Sequence, residues 1–250
     1  MEVHHHSQEH GKRSWKSYFW EFLMLFLAIT LGFLVENQRE HYVEHQREKT
    51  YVRTLYRDLK MDTTFNNSFK KYLLLELKRI DSLISMINER SFKAEAHTFY
   101  RLALNTRNIK FYEYHNSTFE QLKNSGNLRL LTNSGLADSL TQYNSTVQDR
   151  INNQEERYKQ ATLNAAVNLW EILDARYFKE RFGIFGNEMP EVNIPDNPVF
   201  EMIDDQKMKK YKNICFEKKL ILPTYFGFLD AANGKATNLI LVIKKEYHLQ

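Results

Sequence analysis

Residues Tyr18 to Val35 read YFWEFLMLFLAITLGFLV, and this stretch decides the architecture. Glu21 is its one charged residue. Eighteen helical residues extend about 27 Å, close to a bilayer hydrocarbon core of about 30 Å. A buried core helix could be as apolar, but the flanks point to a membrane. Trp15, Tyr18 and Trp20 stand at one end as interfacial aromatics do, preceded by the basic Lys12, Arg13 and Lys16. Leu34-Val35-Glu36-Asn37 offers no small-x-small cleavage pattern, so the stretch reads as an uncleaved signal-anchor. More basic residues lie before the span than immediately after it. The positive-inside rule therefore places the N-terminus in the cytoplasm and the larger domain across the membrane.

One helical face of the span carries Glu21, Leu25, Ala28 and Gly32. Ala28 and Gly32 form a small-xxx-small pair, which lets two helix backbones approach closely in lipid. This stripe is the expected site of helix–helix association. Glu21 is read as lying one turn inside the interface and reaching toward water or Lys16; the alternative is an intramembrane proton or ion site.

Outward from the span the chain is poor in helix breakers. It has 8 Gly and 4 Pro, and no proline precedes Pro190. A proline-free run of this length suits long helices. Apolar residues recur in steps of three and four at Tyr51, Leu55, Leu59, Phe65, Phe69, Tyr72, Leu73, Leu77, Ile80, Ile84 and Ile87. The anchor helix is thus expected to continue as a polar stalk that becomes amphipathic, with a break near Met61-Asp62-Thr63-Thr64, where Asp and Thr favour N-caps. Residues 94–106 read as a second helix. Ser117 and Glu120 form a capping-box pattern ahead of a short helix stopped at Gly126. Asn133 or Ser134 is expected to cap a long helix to about Phe182, with Leu136, Leu140, Tyr143, Val147, Ile151, Tyr158, Leu163, Val167, Trp170, Leu173 and Tyr177 on its apolar face and an exposed polar middle at Asn152–Glu156. The stretch FGIFGNEMPEVNIPDNPVF reads as a loop. The tail reads as helical again, broken near Pro223 and Gly227, with ILVI at 240–243 either a buried helix end or an edge strand.

The fold class predicted is all-α: one N-terminal transmembrane helix followed by a long-helix, bundle-like extramembrane domain. The divisions are 1–17, a basic, histidine-containing tail; 18–35, the span; 36–182, stalk and bundle; 183–200, a Pro/Gly loop; and 201–250, a C-terminal helical segment.

Composition narrows the chemistry. The net charge is +4, and basic residues are interleaved with acidic ones, which argues against a phosphate-binding stripe and nucleic acid. The single Cys215 excludes an internal disulfide and any multi-cysteine metal site, and is read as a small buried apolar residue. His4, His5, His6 and His10 cluster in the tail, and His41 and His45 are one turn apart; both groups are read as solvated rather than metal-binding. The sequons at Asn116 and Asn144 are read as chance matches. The sequence contains no dinucleotide, P-loop, zinc-protease, nucleophile-elbow or EF-hand pattern. No catalytic, cofactor or metal residue is assigned.

The segments SWKSYFWEFLMLFLAITLGFLVENQREHYVE, YVRTLYRDLKMDTT and STFEQLKNSGNLRLL resemble the DUF6090-type membrane proteins of Bacteroidota. The resemblance covers roughly the first 135 residues well and the remainder loosely. It implies a bacterial source, one N-terminal membrane helix and an inner-membrane setting, and carries over no active-site residues. The expected function is a non-enzymatic interaction or accessory subunit, whose partners are the lipid bilayer and either a second copy or another membrane protein. The alternatives are a periplasmic helical-bundle sensor acting through a partner, and an energy-coupling subunit using Glu21.

Overall fold

The computed structural model describes residues 14–177 and 204–249. Among them all regular structure is helical, as the all-α reading expects. The helices are α1 (Trp15–Glu89), α2 (Ala96–Asn105), α3 (Ser117–Asn124), α4 (Ser134–Ser145), α5 (Asn152–Leu169) and α6 (Asp205–Tyr247). Short 3-10 turns lie at Ser91–Lys93, Asn127–Leu130 and Ala175–Tyr177, and a wider π turn at Thr146–Ile151 joins α4 to α5. The chain divides into two compact units, Met1–Thr50 and Tyr51–Gln250. The first contains the apolar span; its histidine-rich tail, including Lys12 and Arg13, lies outside the described residues. So does the stretch 183–200 that the sequence reads as a loop, with Pro190, Pro195 and Pro198.

The second unit is built on three long helical runs. Cross-helix pairs set their directions. Asn67 meets Asn233 at 2.9 Å, Lys70 meets Asp230 at 2.6 Å, and Lys212 meets Asn88 at 3.0 Å, so α1 and α6 are antiparallel. Lys235 meets Gln142 at 3.5 Å and Lys210 meets Glu171 at 3.1 Å, so the α4–α5 run is also antiparallel to α6. Tyr143 reaches Asp62 on α1 and closes the third side. The apolar stripe of α1 enters the core through Val52, Leu55, Leu59, Phe69, Leu73, Ile80 and Leu83, all buried. A helical stripe of that kind must be covered, and a bundle covers it.

Several expected boundaries shift. The break at Met61–Thr64 does not occur: α1 runs through it. Asp62 turns inward to the His115 amide and the Tyr143 hydroxyl instead of capping, and the Thr63 and Thr64 hydroxyls donate back to the Lys60 carbonyl, both at 2.9 Å. The break at Pro223 and Gly227 is likewise absent, because Pro223 lies inside α6. A proline removes one amide donor, but Lys218, Leu222, Tyr225 and Leu229 are buried on both sides of it and hold the helix together. Ile240–Ile243 is a helix end, with Ile243 buried and Leu241 exposed. The capping box does not form either: Ser117 is already helical, Asn116 is the N-cap, and no side-chain cap bond is made. Gly126 does adopt the left-handed conformation, φ 70°, after α3. Asn133 caps α4, its Oδ1 accepting from the Leu136 amide at 3.2 Å.

The predicted helix to Phe182 ends at Leu169. There Asp174 accepts from the Arg176 amide at 2.9 Å while its own amide donates to the Tyr100 hydroxyl at 3.1 Å, turning the chain. The apolar face of α5 also differs. Beyond the π turn the buried positions are Gln154, Tyr158, Ala161, Thr162, Ala165, Asn168 and Leu169. Leu163, Val167 and Trp170 are exposed. The step from Tyr158 to Leu163 is not a helical one, and the expectation followed large side chains off a stripe made of small ones. Gln154 is buried too, donating to the Ile221 carbonyl at 2.9 Å, so the polar middle is only partly exposed. The stability consequence is direct. Leu169→Ala is expected to cost about 2–5 kcal/mol, whereas Val167→Ala, 73 % exposed, is expected to stay within about 0.5 kcal/mol. Urea denaturation of the two variants, followed by helical circular dichroism, distinguishes them.

Candidate functional site

In the first unit, the apolar part of α1 has a mean hydropathy of 2.0 over its best eighteen residues, and none of that window is buried. One helix is therefore long and apolar enough to cross a membrane. Glu21, Leu25, Ala28 and Gly32 are all exposed and share one face of α1. A Cβ placed on Gly32 would meet nothing within 4 Å, so the backbone there is open to close approach. Trp15, Lys16, Tyr18 and Trp20 are exposed at the start of the same helix. Further along, His45 Nδ1 lies 3.2 Å from Glu48 Oε2, a pairing on its own helix. Among the described residues no group of three His, Cys, Asp or Glu side chains is placed to hold a metal ion.

Among the described residues of the second unit are two buried ionic centres that were not expected. In the first, Lys218 on α6 is 0 % exposed and Glu76 on α1 is 1 % exposed. The Lys218 ammonium donates to Glu76 Oε1 at 2.8 Å and to the Thr106 carbonyl at 2.7 Å, the carbonyl at the C-terminal end of α2. It also stands 4.9 Å from the centre of the Tyr158 ring, within cation–π range. Burial pushes the Lys218 pKa down, and the charge of Glu76 opposes that shift. Two turns earlier on α6, the Tyr211 hydroxyl shares a hydrogen bond of 2.6 Å with the hydroxyl of the same Thr106. Cys215 is fully buried beside them, as read from sequence, and burial pushes its thiol up to about 12.

In the second centre, buried Asp62 makes three hydrogen bonds. The His115 amide donates to Oδ1 at 2.9 Å, His115 Nδ1 lies 2.8 Å from the same oxygen, and the Tyr143 hydroxyl donates to Oδ2 at 2.7 Å. One turn earlier, Asp58 accepts from the Thr118 hydroxyl at 2.5 Å. Together these contacts tie the non-helical 107–116 connection and the start of α3 to α1. Burial raises the Asp62 pKa, and its hydrogen bonds pull the other way. Glu155 does the same for the middle of that connection, accepting from the Tyr112 amide at 2.7 Å.

Lys218, Glu76 and Asp62 had one signal in the sequence. Each occupies a core position of its own helix: Asp62 follows Leu59 by three residues, Glu76 follows Leu73 by three, and Lys218 precedes Leu222 by four. A charge on an apolar stripe marks a buried, paired group.

No protein-family model, no curated protein and no solved structure matches this chain.

Proposed function

We propose that this chain is a membrane-anchored interaction or accessory subunit of a bacterial inner-membrane complex, with no catalysis of its own. The observation that carries the reading is the apolar segment of α1, none of which is buried although it is as hydrophobic as a membrane span. A core helix of that composition would bury them. The basic residues Lys12, Arg13 and Lys16 favour a cytoplasmic N-terminus and a periplasmic bundle. The DUF6090-type resemblance of the first 135 or so residues supports the bacterial setting. The open face at Ala28 and Gly32, with Glu21 on the same stripe, supports association with a second copy or another membrane protein.

Extraction in mild detergent followed by mass measurement tests this. The expected result is a discrete oligomer or a reproducible membrane-protein partner, lost when Gly32 is replaced by Leu. A clean monomer that brings nothing with it would remove the reading.

A further inference from the structure

Between the two ionic centres of the bundle lies a row of polar side-chain atoms that no protein group meets at hydrogen-bond geometry, although the Tyr72 and Thr162 hydroxyls stand near that of Tyr158. They are Asn66 Oδ1 and Nδ2, the hydroxyls of Tyr112, Tyr225 and Tyr158, and Glu76 Oε2. All six atoms are buried. The cation nearest Glu76 Oε2 beyond the Lys218 pair is Arg79, 3.9 Å off and outside hydrogen-bond reach.

The side chains that carry these atoms are neighbours. Burial raises the Tyr112 pKa; Asn66, one turn beyond Asp62 on α1, stands near enough to that hydroxyl to oppose the shift without reaching hydrogen-bond geometry. The Tyr112 and Tyr225 rings both stack edge-on against Phe69, at 5.7 and 5.6 Å. Tyr225 meets Tyr158 at 6.3 Å. Tyr158 in turn lies against the Lys218 ammonium. The row therefore starts beside Asp62 and ends at the Lys218–Glu76 pair, passing between α1, α5, α6 and the 107–116 connection.

A buried polar group left without a partner costs more than a typical hydrogen bond contributes, and six together would rival the whole stability of a domain. Phe65 and Phe69, against which the Tyr112 and Tyr225 rings pack, offer no hydrogen-bonding atom. Water does: it both donates and accepts, which suits an amide, three phenols and a carboxylate oxygen equally. Globular proteins hold roughly one buried water per 27 residues, each making two to four hydrogen bonds.

We propose that the interior of the bundle is a built hydration site, in which ordered waters bound by Asn66, Tyr112, Tyr225, Tyr158 and Glu76 join the Asp62 and Lys218–Glu76 centres in one hydrogen-bonded network. The site is independent of how the protein is anchored or what it associates with.

The test is a sign. Tyr225→Phe and Tyr158→Phe remove one hydroxyl each and keep the ring. If water occupies the row, each substitution strips a bound water of a partner, and the melting temperature of the full chain in mild detergent falls by about 2–4 °C. If the hydroxyls are dry, the same substitutions remove an uncompensated polar group, and the melting temperature holds or rises. That result overturns the proposal. Tyr100→Phe, which removes a hydroxyl bonded directly to the Asp174 amide, calibrates the loss of one hydrogen bond. A direct readout uses protein labelled with nitrogen-15 at asparagine. Long-lived cross-relaxation between water and the Asn66 side-chain amide is expected, and its absence overturns the proposal whatever the melting temperatures do.

Discussion

Replacing Glu76 with Gln is expected to destabilise the bundle by about 3–5 kcal/mol at neutral pH, and replacing Lys218 with Met by a similar amount. In each case one charge is removed and the other stays sealed in the core. Neither group has a route to bulk water, since Lys218 is 0 % and Glu76 1 % exposed. The cost therefore comes from the remaining uncompensated charge more than from the attraction lost. Two consequences separate this from a packing defect. First, the double replacement Glu76→Leu with Lys218→Met is expected to be far milder than either single change and near neutral, because no charge is then left buried. Second, the Glu76→Gln variant regains stability on the alkaline side. Burial already holds the Lys218 pKa below its ordinary value of 10.5, and Glu76 opposes that shift; without Glu76 the pKa drops further. The unfolded chain then binds more protons than the folded one between the lowered pKa and 10.5, so stability rises with pH across that window. Urea denaturation of the three variants from pH 7 to 10 measures both effects. Single and double changes of equal cost, with no alkaline recovery, would show that shape and not charge makes these positions matter.

The same pair shows how much the sequence discloses. Helical periodicity in α1 is legible because large residues mark its buried face: Leu55, Leu59, Phe69, Leu73 and Ile80 fall at helical spacing and are buried. It fails in α5 for the opposite reason. There the buried face is Ala161, Thr162 and Ala165, and the eye is drawn to Leu163, Val167 and Trp170, which face solvent. Small residues at a crossing let helices approach and carry little hydropathy signal. The π turn at Thr146–Ile151 adds to this by changing the period partway along the run. Capping and breaking residues mislead where tertiary partners compete for them. Asp62 and Thr63 would cap in isolation, but Asp62 has donors from His115 and Tyr143, and α1 has a core to cover on both sides. Pro223 would break an isolated helix, and in α6 it is held by buried neighbours. The long apolar helix near the N-terminus was legible because its signal is local: length and apolarity lie in one stretch. Lys218–Glu76 and Asp62–His115 join residues 142 and 53 positions apart, and no spacing rule reaches that far.

Asp62 carries the second large effect. Asp62→Ala is expected to cost about 3–5 kcal/mol, since it orphans the His115 amide, the His115 ring and the Tyr143 hydroxyl, at about 1–3 kcal/mol for each donor before relaxation. Asp62→Asn keeps one acceptor oxygen, and about half that loss is expected. The pH dependence of the milder variant is the more informative measurement. Burial raises the Asp62 pKa above its ordinary 3.8, with the bonds from His115 and Tyr143 opposing. From 3.8 up to the raised value the folded chain binds more protons at this group than the unfolded chain does. Stability contributed by Asp62 is then full below 3.8 and declines as pH rises through the raised pKa. The amide of the Asp62→Asn variant does not titrate and has no such dependence. The cost of Asp62→Asn, measured by urea denaturation at steps between pH 3.5 and 7, is therefore expected to shrink as pH rises. A cost that grows with pH would mean that three hydrogen bonds to an ionised carboxylate outweigh its desolvation. In that case the 107–116 connection is held to α1 by a charge, and the neutral acid is not what fits the site.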